Sequence, residues 1–120
     1  MTGCAFFEGI KEKGISVSEV VVFITAPEEE LAAIIAHALV EAKLAGCVNI
    51  VTKIRSIYRW EGKIEDEKEV LMIAKTEQKL FGSLEKKVKE LHSYTVPEII
   101  ALPIIEGSAD YLAWLKDVTG

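Results

Sequence analysis

Two cysteines in 120 residues are too few for a disulfide framework or a four-cysteine zinc site, and such sparse use suits a reducing compartment. Basic charge is also scarce: 14 Lys and Arg stand against 19 Asp and Glu, a formal net charge of −5. A chain without a basic stripe is a poor partner for nucleic acid or for an anionic membrane surface. No apolar run approaches the ~20 residues that cross a bilayer. The opening MTGCAFFEGIKEKG has no basic stretch ahead of its short apolar patch, so no secretory signal is read and a cytoplasmic location is expected. There is no phosphate-binding glycine loop ending in Gly-Lys-Ser/Thr and no Gly-x-Ser-x-Gly nucleophile turn, and no Ser/His/Asp set can be argued. These absences speak against a hydrolase or a nucleotidase. What remains is a chain that is 50% hydrophobic, with the length of one domain and a core to match.

Residues 1–17 lack a period and contain three glycines, and are read as an N-terminal extension, disordered or carrying one short extra element. Residues 18–120 read as a single domain. From Glu19 to Thr25 a continuous β-branched apolar run predicts a central strand. Thr25-Ala26-Pro27-Glu28 has the spacing of a capping box, with Pro27 in the first turn of a helix that reaches about Ala45. Leu31, Ile34, Ile35, Ala38, Leu39 and Ala42 keep one face of that helix, and Gly46 is its natural stop.

Cys47–Trp60 and Ile64–Lys75 then form one long hairpin turning at Glu61-Gly62. Both strands exceed the usual ~5–6 residues, so the hairpin is expected to project beyond the sheet. A plain two-residue loop places Arg55 opposite Lys68, whereas a one-residue shift pairs Arg59 with Glu65 and Arg55 with Glu69. Opposite charges facing across strands favour the shift, which predicts a bulge or three-residue loop near the tip. Thr76 is positioned to cap a second helix, Glu77 to about Leu91, with Leu80, Leu84, Val88 and Leu91 as its buried stripe. Glu98–Ile105 is a fourth strand whose Pro103 confines it to an edge or a bulge, and Ser108 caps a short last helix.

The order β-α-β-β-α-β plus a short C-terminal helix predicts an α+β, ferredoxin-like antiparallel sheet with both main helices on one face. The other face stays open. Near their middles the hairpin strands are apolar on both phases, with Val48, Ile50 and Ile54 on one and Val51 and Ile57 on the other. Exposed patches of that kind meet a partner, so self-association is expected.

Several motifs recur in order: CVNI after Ala45-Gly46, S-x-Y-x-W-x-G-K over Ser56–Lys63, E-x-x-x-x-x-K-T over Glu69–Thr76, H-x-Y-x-x-P-E-I over His92–Ile99, and Y-L-x-W-L over Tyr111–Leu115. Together they resemble the CutA divalent-cation tolerance proteins, from about Val20 to Val118. The resemblance implies a non-enzymatic, PII-like homotrimer whose long hairpins reach across to neighbours, acting in tolerance of copper and other divalent cations. The alternative it carries is a PII-like signalling trimer that binds a small metabolite in its intersubunit clefts. In one respect this chain departs from the family. Some members carry a cysteine just before the Thr-Ala-Pro turn and a doubled histidine before Pro-Tyr as proposed copper ligands. Here those places hold Ile24, Leu91 and His92, with Ser93 replacing the proline.

Among the chemically capable residues, His92 is the leading candidate metal ligand, set against a helix-end histidine that bonds the last carbonyls. Cys47 is a second, soft candidate, set against a small buried residue that opens a strand. The topology puts Thr25, Trp60, His92 and Pro97 at one end of the sheet and Cys47, Lys75 and Thr76 at the other. A metal–ligand bond is only ~2 Å long, so Cys47 and His92 are able to share an ion only across subunits. Tyr58, Trp60, Glu69, Lys75, Tyr94 and Glu98 are candidates for an intersubunit pocket, set against hairpin packing and interface anchoring. Glu65, Asp66, Glu67 and Glu69 resemble a cation-collecting patch, set against salt bridges to Arg55 and Arg59. Lys75, Thr76 and Asn49 are an anion candidate at a helix start.

Overall fold

The computed structural model describes residues 18–120; the N-terminal extension read at 1–17 lies outside them. Four strands form one antiparallel sheet in the order β2-β3-β1-β4, with β1 at Glu19–Ala26, β2 at Cys47–Trp60, β3 at Lys63–Glu77 and β4 at Ile99–Pro103. Helices α1 (Glu29–Glu41) and α2 (Phe81–Leu91) connect the strands, and α3 (Ala109–Asp117) closes the chain. This is the ferredoxin-like α+β arrangement the sequence predicts.

Strand periodicity decides which side is core. Val20, Val22, Ile24 and Ala26 of β1 alternate inward with Val70, Met72 and Ala74 of β3. They pack with Ile35 and Leu39 of α1 and with Leu84 and Val88 of α2. Each fully buried aliphatic side chain there contributes about 1.5–3 kcal/mol relative to exposure. The opposite phase forms the open face. Its register rows run Leu102–Val21–Lys75–Cys47, then Ile100–Phe23–Ile73–Asn49, then Thr25–Leu71–Val51.

Several local expectations are corrected by tertiary contacts. Helix α1 starts at Glu29 with Glu28 as an N-cap that makes no side-chain cap bond; Thr25 and Ala26 remain in the sheet, so there is no capping box. The helix also ends earlier, at Glu41. Lys43 takes a left-handed φ of 60°, and Leu44 N–H and Lys43 N–H donate to the carbonyls of Leu39 and Val40, a Schellman stop on a lysine. Gly46 has a different task. A Cβ there would lie 2.5 Å from Leu115 and 3.0 Å from Val118, so glycine lets α3 approach. Thr76 caps nothing: it is the penultimate residue of β3 and its buried hydroxyl donates to the Leu44 carbonyl at 2.7 Å. A 3-10 turn, Gln78–Leu80, precedes α2 instead. Strand β4 is an edge and pairs with β1, and Ser108 caps α3, accepting from Tyr111 N–H at 3.5 Å.

The hairpin register is also corrected. Ile54 to Trp60 pair with Glu69 to Lys63 without a shift, so Arg55 does face Lys68. The loop has two residues, Glu61 and Gly62, at φ 49° and 79°, the double positive φ of a type I′ turn. The bulge lies further back: Thr52 and Lys53 together oppose Val70, and Lys53 adopts φ 62°. Because the bulge adds one residue, it reverses the phase of β2. Ile54 therefore joins Val51 on the open side, and Ile57 joins the side of Val48 and Ile50.

Candidate functional site

Where the hairpin leaves the sheet, the segment after α2 crosses the open side and a cleft of about 650 Å³ forms. Tyr58 and Trp60 line it from β2, Glu69 from β3, and Tyr94 and Glu98 from the α2–β4 connection. The phase reversal at Lys53 makes this possible. It turns Ser56, Tyr58 and Trp60 to the same side as Glu69 and Leu71. Thr25, Ser56 and Thr95 also line the cleft and are not among the pocket candidates read from the sequence. Ser56 and Thr95 sit within two residues of such a candidate, and Thr25 is placed by the topology at the same end of the sheet as Trp60 and His92.

His92 holds the roof of the cleft. Its Nε2–H donates to the Thr25 carbonyl at 2.7 Å, and its Nδ1 accepts from Tyr94 N–H at 3.0 Å. A carbonyl only accepts and an N–H only donates, so the ring is the neutral Nε2–H tautomer with both nitrogens engaged. It ties α2 to β1 and aims the chain at Tyr94, whose ring centroid lies 4.7 Å away. The bond goes to a strand carbonyl and leaves the last carbonyls of the helix alone.

Tyr94 carries the next link: its hydroxyl donates to Glu69 Oε2 at 2.6 Å, and Glu69 is only 6% exposed. Burial and the Glu69 carboxylate push the Tyr94 phenol well above the ordinary tyrosine range. Tyr58 donates to Glu67 at 2.8 Å, and that bond, with the nearby acidic charges, pushes it up to about 12. The acidic run of β3 is thus partly spoken for. Arg55 grips Asp66 through two bonds, at 2.8 and 2.7 Å, and Asp66 is held below the usual carboxylate range by that guanidinium.

Lys75, read with the pocket candidates, does not line the cleft. It lies in the row of Val21 and Cys47, four residues along β1 from the Thr25 row, about 13 Å at strand rise. There its Nζ bonds Asn49 Oδ1 and stands 3.8 Å from Cys47 Sγ. Since Thr76 starts no helix, Lys75, Thr76 and Asn49 do not frame a helix N-terminus. Cys47 and His92 are likewise at opposite ends of the sheet within one chain. Among the described residues no group of three His, Cys, Asp or Glu side chains is placed to hold a metal ion, and no helix is long and apolar enough to cross a membrane.

A family model described as CutA1 divalent ion tolerance protein matches residues 20–118. The chain belongs to the CutA1 family. It is 55% identical over 102 residues to the divalent-cation tolerance protein CutA of Thermus thermophilus, covering 85% of this chain and 99% of that one. It is 46% identical over 110 residues to the chloroplastic protein CutA of Arabidopsis thaliana, covering 92% of this chain but 60% of the longer plant protein. The crystal structure of CutA1 from Oryza sativa superposes with a TM-score of 0.84 at 46% identity, covering 88% of this chain and 96% of that one. The family model and the Thermus thermophilus relative are named for divalent-cation tolerance.

Proposed function

We propose that this CutA1 chain is a non-enzymatic, cytoplasmic homotrimer that binds divalent cations, copper among them, and so confers tolerance to them. The observation that carries the reading is the open side of the sheet. Ile100, Leu102 and Val51 stand 52, 48 and 41% exposed there, beside half-buried Val21, Phe23, Leu71 and Ile73. A contiguous apolar face of this kind is covered in a soluble protein, and further copies of the chain are the proposed cover. With no ligand cluster inside the described chain, a metal ion is proposed to bridge copies, with Cys47 of one and His92 of a neighbour as donors. His92 would have to release the Tyr94 N–H to offer Nδ1.

Light scattering tests the assembly: a mass three times the 13.3 kDa chain is expected. A monomer at micromolar concentration would remove every intersubunit site. Calorimetric titration with Cu²⁺ or Zn²⁺ tests the ligands. Loss of the binding heat in Cys47→Ser and His92→Ala supports them, and unchanged traces rule them out.

The cleft favours a second reading, a PII-like trimer that senses a small metabolite. Its aromatic and polar lining at the base of a projecting hairpin has the make-up of a small-molecule site.

A further inference from the structure

We propose that the cleft beneath Tyr94 binds a small organic ammonium ion, its charge on Glu69 and Glu98 and its apolar body among Tyr58, Trp60 and Tyr94. This rests on the reading of the cleft as a small-molecule site and adds the class of ligand. Three observations carry it.

The first is the charge of the walls. Glu69 and Glu98 line the cleft, and no lysine, arginine or histidine does among the described residues. Neither carboxylate forms an ion pair: the ion pairs of the described residues involve Arg55, Lys79, Lys87, Lys89 and Lys116 with other acids. Glu69 is 6% exposed, and its one hydrogen-bond donor among the described residues is the Tyr94 hydroxyl, on Oε2. With a neutral donor on one oxygen and no cation beside it among the described residues, this carboxylate can still accept a charge-assisted hydrogen bond from an incoming ammonium. The Tyr94 phenol is raised first by burial and then by its bond to Glu69, while the Tyr58 phenol is raised chiefly by its bond to Glu67.

The second is the aromatic content. Three of the chain's aromatic rings, Tyr58, Trp60 and Tyr94, border one cleft, and Tyr58 and Trp60 stand 38 and 45% exposed. Aromatic faces beside carboxylates attract organic cations through the ring quadrupole and offer their carbon parts an apolar surface. The neutral hydroxyl of Ser56 adds a further acceptor at the wall.

The third separates an organic cation from a metal ion. A volume of about 650 Å³ is far larger than a bare ion needs, and the described residues provide no trio of metal ligands. An ammonium ion needs only charge-assisted hydrogen bonds from one or two carboxylates.

The test uses the full chain in its solution assembly and carries Trp114→Phe, so that Trp60 is the remaining tryptophan. Its fluorescence is followed while benzylammonium, benzyl alcohol or benzoate is added. Benzylammonium is expected to saturate with a midpoint on the order of 1 mM. Benzyl alcohol is expected to bind at least about tenfold more weakly, and benzoate not at all. Glu69→Gln keeps an acceptor for Tyr94 and should shrink the gap between benzylammonium and the alcohol to about threefold or less. Equal binding of the alcohol or of benzoate overturns the ammonium class while leaving a small-molecule site. If none of the three changes the signal up to about 20 mM, the site itself falls, as it does if a neighbouring copy fills the cleft.

Discussion

From Cys47 to Val51, strand β2 belongs to a four-stranded sheet backed by helices; from Ile54 to Trp60 it has only β3 beside it among the described residues. The inner half buries side chains against the core, with Val48 and Ile50 packed on Met72 and Ala74. The outer half exposes apolar ones: Ile57 is 63% and Ile64 67% exposed. Its order comes from a type I′ turn and from polar pairs that reach diagonally across the strands, Arg55 to Asp66 and Tyr58 to Glu67. Two-stranded ribbons are marginal alone, so the outer half gains most from being covered. The difference separates what the monomer stabilises from what assembly must stabilise.

The strongest way to break that comparison is a matched pair of truncations. Met72→Ala opens a cavity in a fully buried site and is expected to cost about 2–5 kcal/mol in urea denaturation. Ile57→Ala removes an exposed side chain and is expected to cost under about 0.5 kcal/mol if the outer half stands alone. A cost for Ile57→Ala that grows with protein concentration would show the outer half buried between copies. Equal costs in a monomer would end the distinction.

His92 lies at the junction of the two halves and should give the next largest effect. His92→Ala strips the Thr25 carbonyl of its side-chain donor and frees the Tyr94 segment, at an expected cost of about 1–3 kcal/mol in the same denaturation experiment. His92→Asn, with one donor and one acceptor on a shorter stem, should fall between. No loss in either variant would mean that the ring is a bystander.

Much of the fold was legible because it is written in periodicity. The β-branched run of β1, the stripes of the helices and the Pro103 edge strand need only the chain's own spacing. The misreadings share a physical cause: local capping and charge rules were outcompeted by tertiary contacts. Thr76 has the look of a cap, yet its hydroxyl is drawn to Leu44 on another element. The register slip that would have matched Arg55 with Glu69 was unnecessary, because Arg55 reaches Asp66 on the diagonal without it. The bulge was expected near the tip because charge pairing was the only signal for it; a lysine at φ 62° has no sequence mark. At the site, Tyr58, Trp60, Glu69, Tyr94 and Glu98 border one cleft only because that bulge reverses the phase of β2. Cys47 and Lys75, separated from them by the length of a strand, do not join them.

A smaller effect sharpens the outer half from its turn. Glu61 carries φ 49° in a position that favours Asn, Asp or Gly. Glu61→Asn should stabilise the ribbon by roughly 0.5 kcal/mol, read as a raised melting midpoint. The same change should slow amide exchange in Arg59 and Ile64 and leave Met72 unaffected. Slower exchange throughout the sheet would mean that the two halves open together.

The smallest effect is silent at neutral pH and tests the diagonal pairs directly. The Tyr58 phenol, ordinarily at 10.0, is pushed up to about 12 chiefly by its bond to Glu67. Its folded value lies above its unfolded one, so its contribution to stability is complete below the unfolded value and is lost as the pH rises through about 12. Tyrosinate absorbance followed on the folded protein should therefore show no phenol ionising at its ordinary value, since Tyr94 and Tyr111 are also raised. Glu67→Gln should bring one phenol back toward 10. Because Tyr58 is in the outer half, that shift should leave the denaturation midpoint at neutral pH where it was. A midpoint that moved with it would tie the diagonal pairs to the core and erase the boundary drawn at Lys53.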